Sequence, residues 1–266
     1  MELQEKQKLP IGFMDSGLGG LSVLREAVRI MPSEDFIYFG DSLNAPYGTK
    51  EQRVIRDLTF SVVENLLKQG IKGLAVACNT ATSAAVRLLR ETYPDLPIVG
   101  IEPAIKPAVD HSHGGTILVM ATPMTIAQEK YQALLGQYQD QAHIVSVPCE
   151  GLMEFVESGR TEGEELDAYF KEHLRPYLSE DTETIVLGCT HYPFLRPQLR
   201  KFLKNRNIDL IDGSLGTSME LKRRLKVKNL LREEDRKGQV QIQNSTGKQD
   251  MIDRSYELLY LPMETE

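Results

Sequence analysis

Short apolar runs alternate with stretches of helical spacing along most of this chain, and that alternation confines it to few folds. Leu9 to Met14 reads as a strand, Asp15-Ser-Gly-Leu-Gly-Gly20 as a turn, and Leu21 to Met31 as a helix. The same grammar gives strands at Phe36–Phe39, Gly73–Ala77 and Pro97–Ile101, with helices over Arg53–Gln69 and Ala81–Tyr93. It resumes with strands at Thr116–Met120, His143–Val147, Thr184–Leu187 and Ile208–Ile211, the last clear strand, and with helices over Thr125–Leu135 and Gly163–Leu178. The strands are apolar throughout rather than alternating with polar residues. They therefore expect cover on both faces, which is the pattern of parallel sheets flanked by helices.

A chain of 266 residues is long enough for one large domain or two modest ones, and an internal match favours two. Leu74-Ala-Val-Ala-Cys78-Asn-Thr80 aligns with Ile185-Val-Leu-Gly-Cys189-Thr-His191 at an offset of 111, and Ile11 to Ser16 aligns with Ile117 to Thr122 at an offset of 106. Two matches in the same order predict two related α/β halves, each with a cysteine where a strand ends. The net charge of −7 argues against a dedicated polyanion binder, so no nucleic acid is needed as a partner. The basic run Lys222 to Lys228 reads as a solvated helix face. Cys78, Cys149 and Cys189 are too far apart for a disulfide framework or a clustered metal site, and read as thiols of a reducing compartment. No secretory h-region and no membrane-length apolar stretch is visible. A soluble cytoplasmic protein is expected.

In open parallel sheets, ligands sit beyond the carboxyl ends of the strands. Asp15-Ser16, Asp41, Cys78-Asn79-Thr80 and Cys189-Thr190-His191 all fall there. The glycine-rich turn after Asp15 opens a helix, so its backbone N–H groups suit an anion; it is neither a P-loop nor a dinucleotide fingerprint. Cys149, in Val147-Pro-Cys-Glu, reads as a small packed residue. Cys78 and Cys189 differ, because each precedes short polar residues and a helix start, the setting that makes thiolate available. Two such thiols in pseudo-equivalent positions suit a reaction that needs one base on each face of a planar centre. Racemisation of an α-amino acid is such a reaction. A cysteine hydrolase with His191 as base, or an amino-acid sensor that exchanges no proton, uses fewer of these residues.

Four stretches carry a family resemblance: Asp15-Ser-Gly-Leu-Gly-Gly, Gly40-Asp41 with Pro46-Tyr-Gly48, Val76-Ala-Cys-Asn-Thr-Ala-Thr82 and Leu187-Gly-Cys-Thr-His-Tyr-Pro193. In this order they closely resemble the glutamate racemases of the aspartate/glutamate racemase family, from Ile11 to about Gly216. The resemblance implies cofactor-independent interconversion of L- and D-glutamate, supplying D-glutamate for peptidoglycan and so for cell-wall biogenesis and cell shape. It implies Cys78 and Cys189 as the two acid/bases, with Asp15 and His191 as their helpers. Substrate contacts then fall on Asp15, Ser16, Pro46, Tyr47, Gly48, Asn79, Thr80, Thr190 and His191, and Asp41 and Glu157 are supporting positions. The implied architecture is two pseudo-symmetric, doubly wound α/β domains with mostly parallel sheets and the active site in the cleft between them. Residues 1–101 plus 212–266 form the first domain and 102–211 the second. A homodimer is expected. Ser42 to Ala45 and Cys149 to Glu157 depart from the usual family pattern without touching the two-thiol machinery. A racemase of aspartate or another amino acid is the alternative nearest to this reading.

Overall fold

The computed structural model describes residues 2–204 and 206–261. It contains β1 (Ile11–Asp15), β2 (Phe36–Gly40), β3 (Gly73–Val76), β4 (Ile98–Gly100), β5 (Thr116–Ala121), β6 (His143–Pro148), β7 (Thr182–Leu187), β8 (Asp209–Asp212) and β9 (Val240–Asn244). They form a sheet ordered β4-β3-β1-β2-β9 and another ordered β6-β5-β7-β8. Every pairing is parallel. The chain clusters into two compact units, one built from the segments up to Ile101 and from Ser214 onward, the other from Glu102 to Gly213. Residues 262–266, at the end of the first expected domain, lie outside the described residues.

The sequence repeat reappears in the wiring of each unit. Reading β4-β3-β1-β2 against β8-β7-β5-β6 superposes the order of chain entry strand for strand. Equivalent hydrogen bonds extend the ladders. The Ala77 N–H donates to the Met14 carbonyl at 2.8 Å, and the Gly188 N–H to the Met120 carbonyl at 2.8 Å. Likewise the Asp41 N–H donates to the Asp15 carbonyl at 2.9 Å, and the Cys149 N–H to the Ala121 carbonyl at 2.9 Å. Each unit thus keeps its first strand paired with its second and third right up to the carboxyl edge, where the site loops begin.

In the first unit, Leu74 and Val76 of β3 pack with Ala81, Ala85 and Leu89 of the helix Asn79–Thr92. The i, i+4, i+8 spacing of those three puts them on one stripe, which the sheet covers. That helix stops at Tyr93 because the next residue, Pro94, disfavours helical backbone before it. In the second unit, Ile117 and Val119 of β5 and Val186 of β7 pack against Ile105 and Ala108 of the helix Ile105–Asp110.

Three expectations need correction. β9 is a further strand, added parallel to β2 at the edge of the first sheet. Its sequence, Val240-Gln-Ile-Gln-Asn, is too polar to read as a covered strand because an edge strand buries only alternate residues. The helix expected over Gly163–Leu178 ends at His173 and continues as a 3-10 turn, since Pro176 supplies no N–H to prolong it. The helix expected over Thr125–Leu135 is two helices, Pro123–Ala127 and Glu129–Gly136, separated by an extended Gln128. Among the described residues, no helix is long and apolar enough to cross a membrane.

Candidate active site

Parallel pairing gathers the carboxyl ends of the strands of each sheet on one edge, and the candidate residues gather with them. In the first unit β1 ends at Asp15, which is fully buried, and its Oδ1 accepts from the Gly17 N–H at 2.9 Å. Two residues past β3, Cys78 is the N-cap of the helix Asn79–Thr92, and its Sγ accepts from the Ala81 N–H at 3.5 Å. A helix N-terminus with an N–H aimed at sulfur is an arrangement that stabilises negative charge there. The same Sγ lies 3.5 Å from Ser16 Oγ. Thr80 is buried and Asn79 half-buried, and Asn79 Oδ1 has no hydrogen-bond partner among the described residues.

Asp41, just past β2, organises the neighbouring loop. Its carboxylate accepts from Tyr47 Oη at 2.7 Å and from Asn44 Nδ2 at 3.0 and 3.1 Å. Burial, reinforced by the bond to Asp41, pushes the Tyr47 phenol far above its ordinary range, so it stays a neutral donor. Pro46 and Gly48 flank this tyrosine and are half-buried. Asp41 therefore acts through its carboxylate on the Pro46-Tyr-Gly48 loop, while its N–H holds the end of β1.

In the second unit Cys189 follows β7 after a single glycine. A Cβ on Gly188 would stand 2.6 Å from the Met120 carbonyl oxygen, so only glycine lets β7 run this close to β5 immediately before the thiol. Cys189 Sγ lies 3.6 Å from His191 Nδ1, and His191 Nε2 lies 2.7 Å from Glu157 Oε1. The imidazole is buried, and the carboxylate partly so. Burial would lower the His191 pKa, but the hydrogen bonds to Cys189 and Glu157 outweigh it and hold it well above the usual histidine value. Carboxylate, imidazole and sulfur thus form one hydrogen-bonded line. Glu157 comes from the helix Leu152–Glu157, 34 residues from His191 in sequence, so its pairing is a product of the fold. Thr190 is buried beside this line.

Cys149 stands where Asp41 stands in the other unit, at the end of the second strand. Burial pushes its thiol up to about 12, with the charge of Cys189 adding to the effect. At pH 8 roughly one molecule in 10⁴ would carry its thiolate. Iodoacetamide at that pH is therefore expected to modify the half-buried Cys189 long before the buried Cys149, as peptide mass mapping over time will read. Sequence reasoning missed two buried tyrosines. Tyr38 donates to the Gly17 carbonyl at 2.7 Å, and Tyr192 to the Cys149 carbonyl at 3.2 Å. Tyr38 carries no sequence signal, since a tyrosine in an apolar strand reads as core.

Comparison with known proteins gives a consistent set of relatives. The Asp/Glu/hydantoin racemase family model matches residues 11–214. A glutamate racemase from Clostridium botulinum (strain Alaska E43 / Type E3) is 52% identical over 255 residues, covering 96% of this chain and 98% of that protein. Among solved structures, a glutamate racemase isoform from Bacillus anthracis aligns with a TM-score of 0.84 at 30% identity, covering 98% of this chain and 97% of that one. A glutamate racemase from Francisella tularensis, solved in complex with D-glutamate, aligns with a TM-score of 0.82 at 28% identity, covering 97% and 96%.

Proposed function

The chain belongs to the Asp/Glu/hydantoin racemase family, and from that premise we propose that Cys78 and Cys189 are the two acid/bases of a glutamate racemase. The protein is an isomerase that interconverts L- and D-glutamate. The observation that carries the two-base reading is that each unit sets a thiol just past its third strand beside a polar partner. Cys78 sits at a helix N-terminus against Ser16, and Cys189 sits against the His191–Glu157 pair. In this reading one thiolate removes the α-proton from one side of the carbon and the other thiol returns a proton to the opposite side.

The α-proton of an amino-acid carboxylate is very weakly acidic, so the carbanion has to be stabilised where charge builds up. The backbone N–H groups of the Ser16–Gly20 turn, with Asn79 and Thr80, suit the substrate carboxylate. The unpartnered Asn79 Oδ1 is an acceptor for the substrate ammonium. Asp15 and His191 tune the thiols next to them, and Tyr47, Gly48, Pro46 and Thr190 line the same substrate. The reading takes residues 1–101 with 212–266 as one domain and 102–211 as the other. It needs no added cofactor. A cytoplasmic homodimer supplying D-glutamate for peptidoglycan completes it.

Incubation with L-glutamate in D₂O, without pyridoxal phosphate, tests the reading. Deuterium at the α-carbon and decay of the circular dichroism signal to zero are expected. Exchange with L-aspartate but not glutamate would move the assignment to the neighbouring substrate, and no exchange with either would remove the racemase reading.

Glu157 is testable separately. Glu157→Gln takes away a charge that holds the His191 pKa up. A raised pKa keeps imidazolium present up to high pH and loses it as pH rises through the folded value. Lowering that value brings the loss to lower pH. The alkaline limb of the kcat profile is therefore expected to shift downward, with a fall in kcat of about tenfold at neutral pH. An unmoved alkaline limb would detach Glu157 from the proton transfer.

A further inference from the structure

We propose that Tyr38 is a positioning residue for the Cys78 side of the reaction, acting through the Gly17 peptide. Tyr38 lies in the middle of β2 and is fully buried. Its hydroxyl donates to the Gly17 carbonyl at 2.7 Å, while the N–H of the same residue donates to Asp15 Oδ1 at 2.9 Å. The two peptide units that meet at Gly17 are therefore each held, the carbonyl by Tyr38 of the neighbouring strand and the N–H by the Asp15 carboxylate.

Two further features show that this carbonyl is placed rather than merely tolerated. A Cβ on Gly40 would stand 2.6 Å from the Gly17 oxygen, so the end of β2 is cut back to glycine where the carbonyl descends onto it. Directly before Gly17 is Ser16, whose Oγ lies 3.5 Å from Cys78 Sγ. Turning the chain at Gly17 would disturb the residues just before it, Asp15 through its hydrogen bond to the Gly17 N–H and Ser16, the neighbour of the thiol, through the backbone. The Tyr38 hydroxyl is directed at the Gly17 carbonyl. Its action is to keep the turn in the orientation that aims Ser16 and Asp15.

The proposal rests on the reading of Cys78 as one of two bases, and it makes a prediction that a general loss of folding would not. With two bases, the substrate isotope effect in each direction reports how far proton abstraction by one particular thiol limits the rate. Slowing the Cys78 step raises that effect for the enantiomer whose proton Cys78 takes. It lowers it toward unity for the other enantiomer, where return of a proton by Cys78 becomes limiting.

The experiment is racemisation of α-deuterated D- and L-glutamate by the wild type, Tyr38→Phe and, as calibrator, Ser16→Ala. For Tyr38→Phe we expect kcat lowered about 10- to 100-fold. The isotope effects should split in opposite senses, with the same enantiomer raised as in Ser16→Ala. Gly40→Ala, which pushes the same carbonyl from below, should reproduce the split. Lower activity with both isotope effects at wild-type values, in folded protein by circular dichroism, would make Tyr38 structural only and overturn the proposal. A wild type that does not racemise glutamate would instead overturn the underlying two-base reading.

Discussion

Cys78→Ala and Cys189→Ala are each expected to lose racemisation by about 10²- to 10⁴-fold, the usual range for removing a positioned acid/base. The loss should be equal in kind but opposite in hand. The thiol that remains still reaches the α-proton from its own side. Each variant is therefore expected to retain slow deuterium exchange into one enantiomer without inversion, and the two variants should choose different enantiomers. Proton NMR in D₂O reads the exchange, and circular dichroism reads the inversion. The double variant should fall little below either single one in racemisation, because residues acting as a unit are not additive. A Cys78→Ala enzyme of undiminished activity would leave Cys189–His191 acting alone, as in a hydrolase, and would end the two-base assignment.

Removing Glu34 is expected to destabilise the first unit strongly. Glu34 and Lys72 form an ion pair whose side chains are 3% and 1% exposed, with Nζ 2.5 Å from Oε2. Glu34 also accepts the Arg232 N–H at 2.7 Å, so it joins the start of β2 to the returning chain. Glu34→Ala would leave a buried ammonium with the Gln7 carbonyl as its remaining partner among the described residues. Losing one member of such a pair typically destabilises by about 3–5 kcal/mol. Replacing both, as Glu34→Leu with Lys72→Met, should restore most of that. Burial already holds the Lys72 pKa below its usual value, against the pull of Glu34. A depressed pKa means the folded state gains as pH rises past it. The deficit of Glu34→Ala should accordingly shrink as pH approaches 10, and denaturant midpoints across pH will show it. A deficit that is flat with pH would mean the cost arises from the lost Arg232 contact instead.

Much of the fold was legible because covered parallel strands leave a strong record. Phe36-Ile-Tyr-Phe and Leu74-Ala-Val are apolar without interruption, and that continuity is what burial on both faces demands. β9 left no such record, since as an edge strand it buries only Ile242 and Asn244 fully. Helix ends were legible where a proline stood after them, as at Pro94. They were misjudged at Pro176, where the chain tightens into a 3-10 turn instead of stopping.

The sequence by itself determined the alternating α/β grammar, the two-fold repeat, and the placing of Cys78 and Cys189 after equivalent strands. These follow from local periodicity, which needs no knowledge of distant residues. Only the tertiary structure decided who meets whom at the carboxyl edges. Glu157 reaches His191 across 34 residues, Tyr38 reaches Gly17 across 21, and Glu34 reaches Lys72 across 38. A hydrogen bond depends on a few tenths of an ångström and on direction, and these are set by packing and register rather than by spacing along the chain. That is why the thiols and their expected helpers could be named from sequence, while the bonds that join Glu157 to His191 and Tyr38 to Gly17 could not.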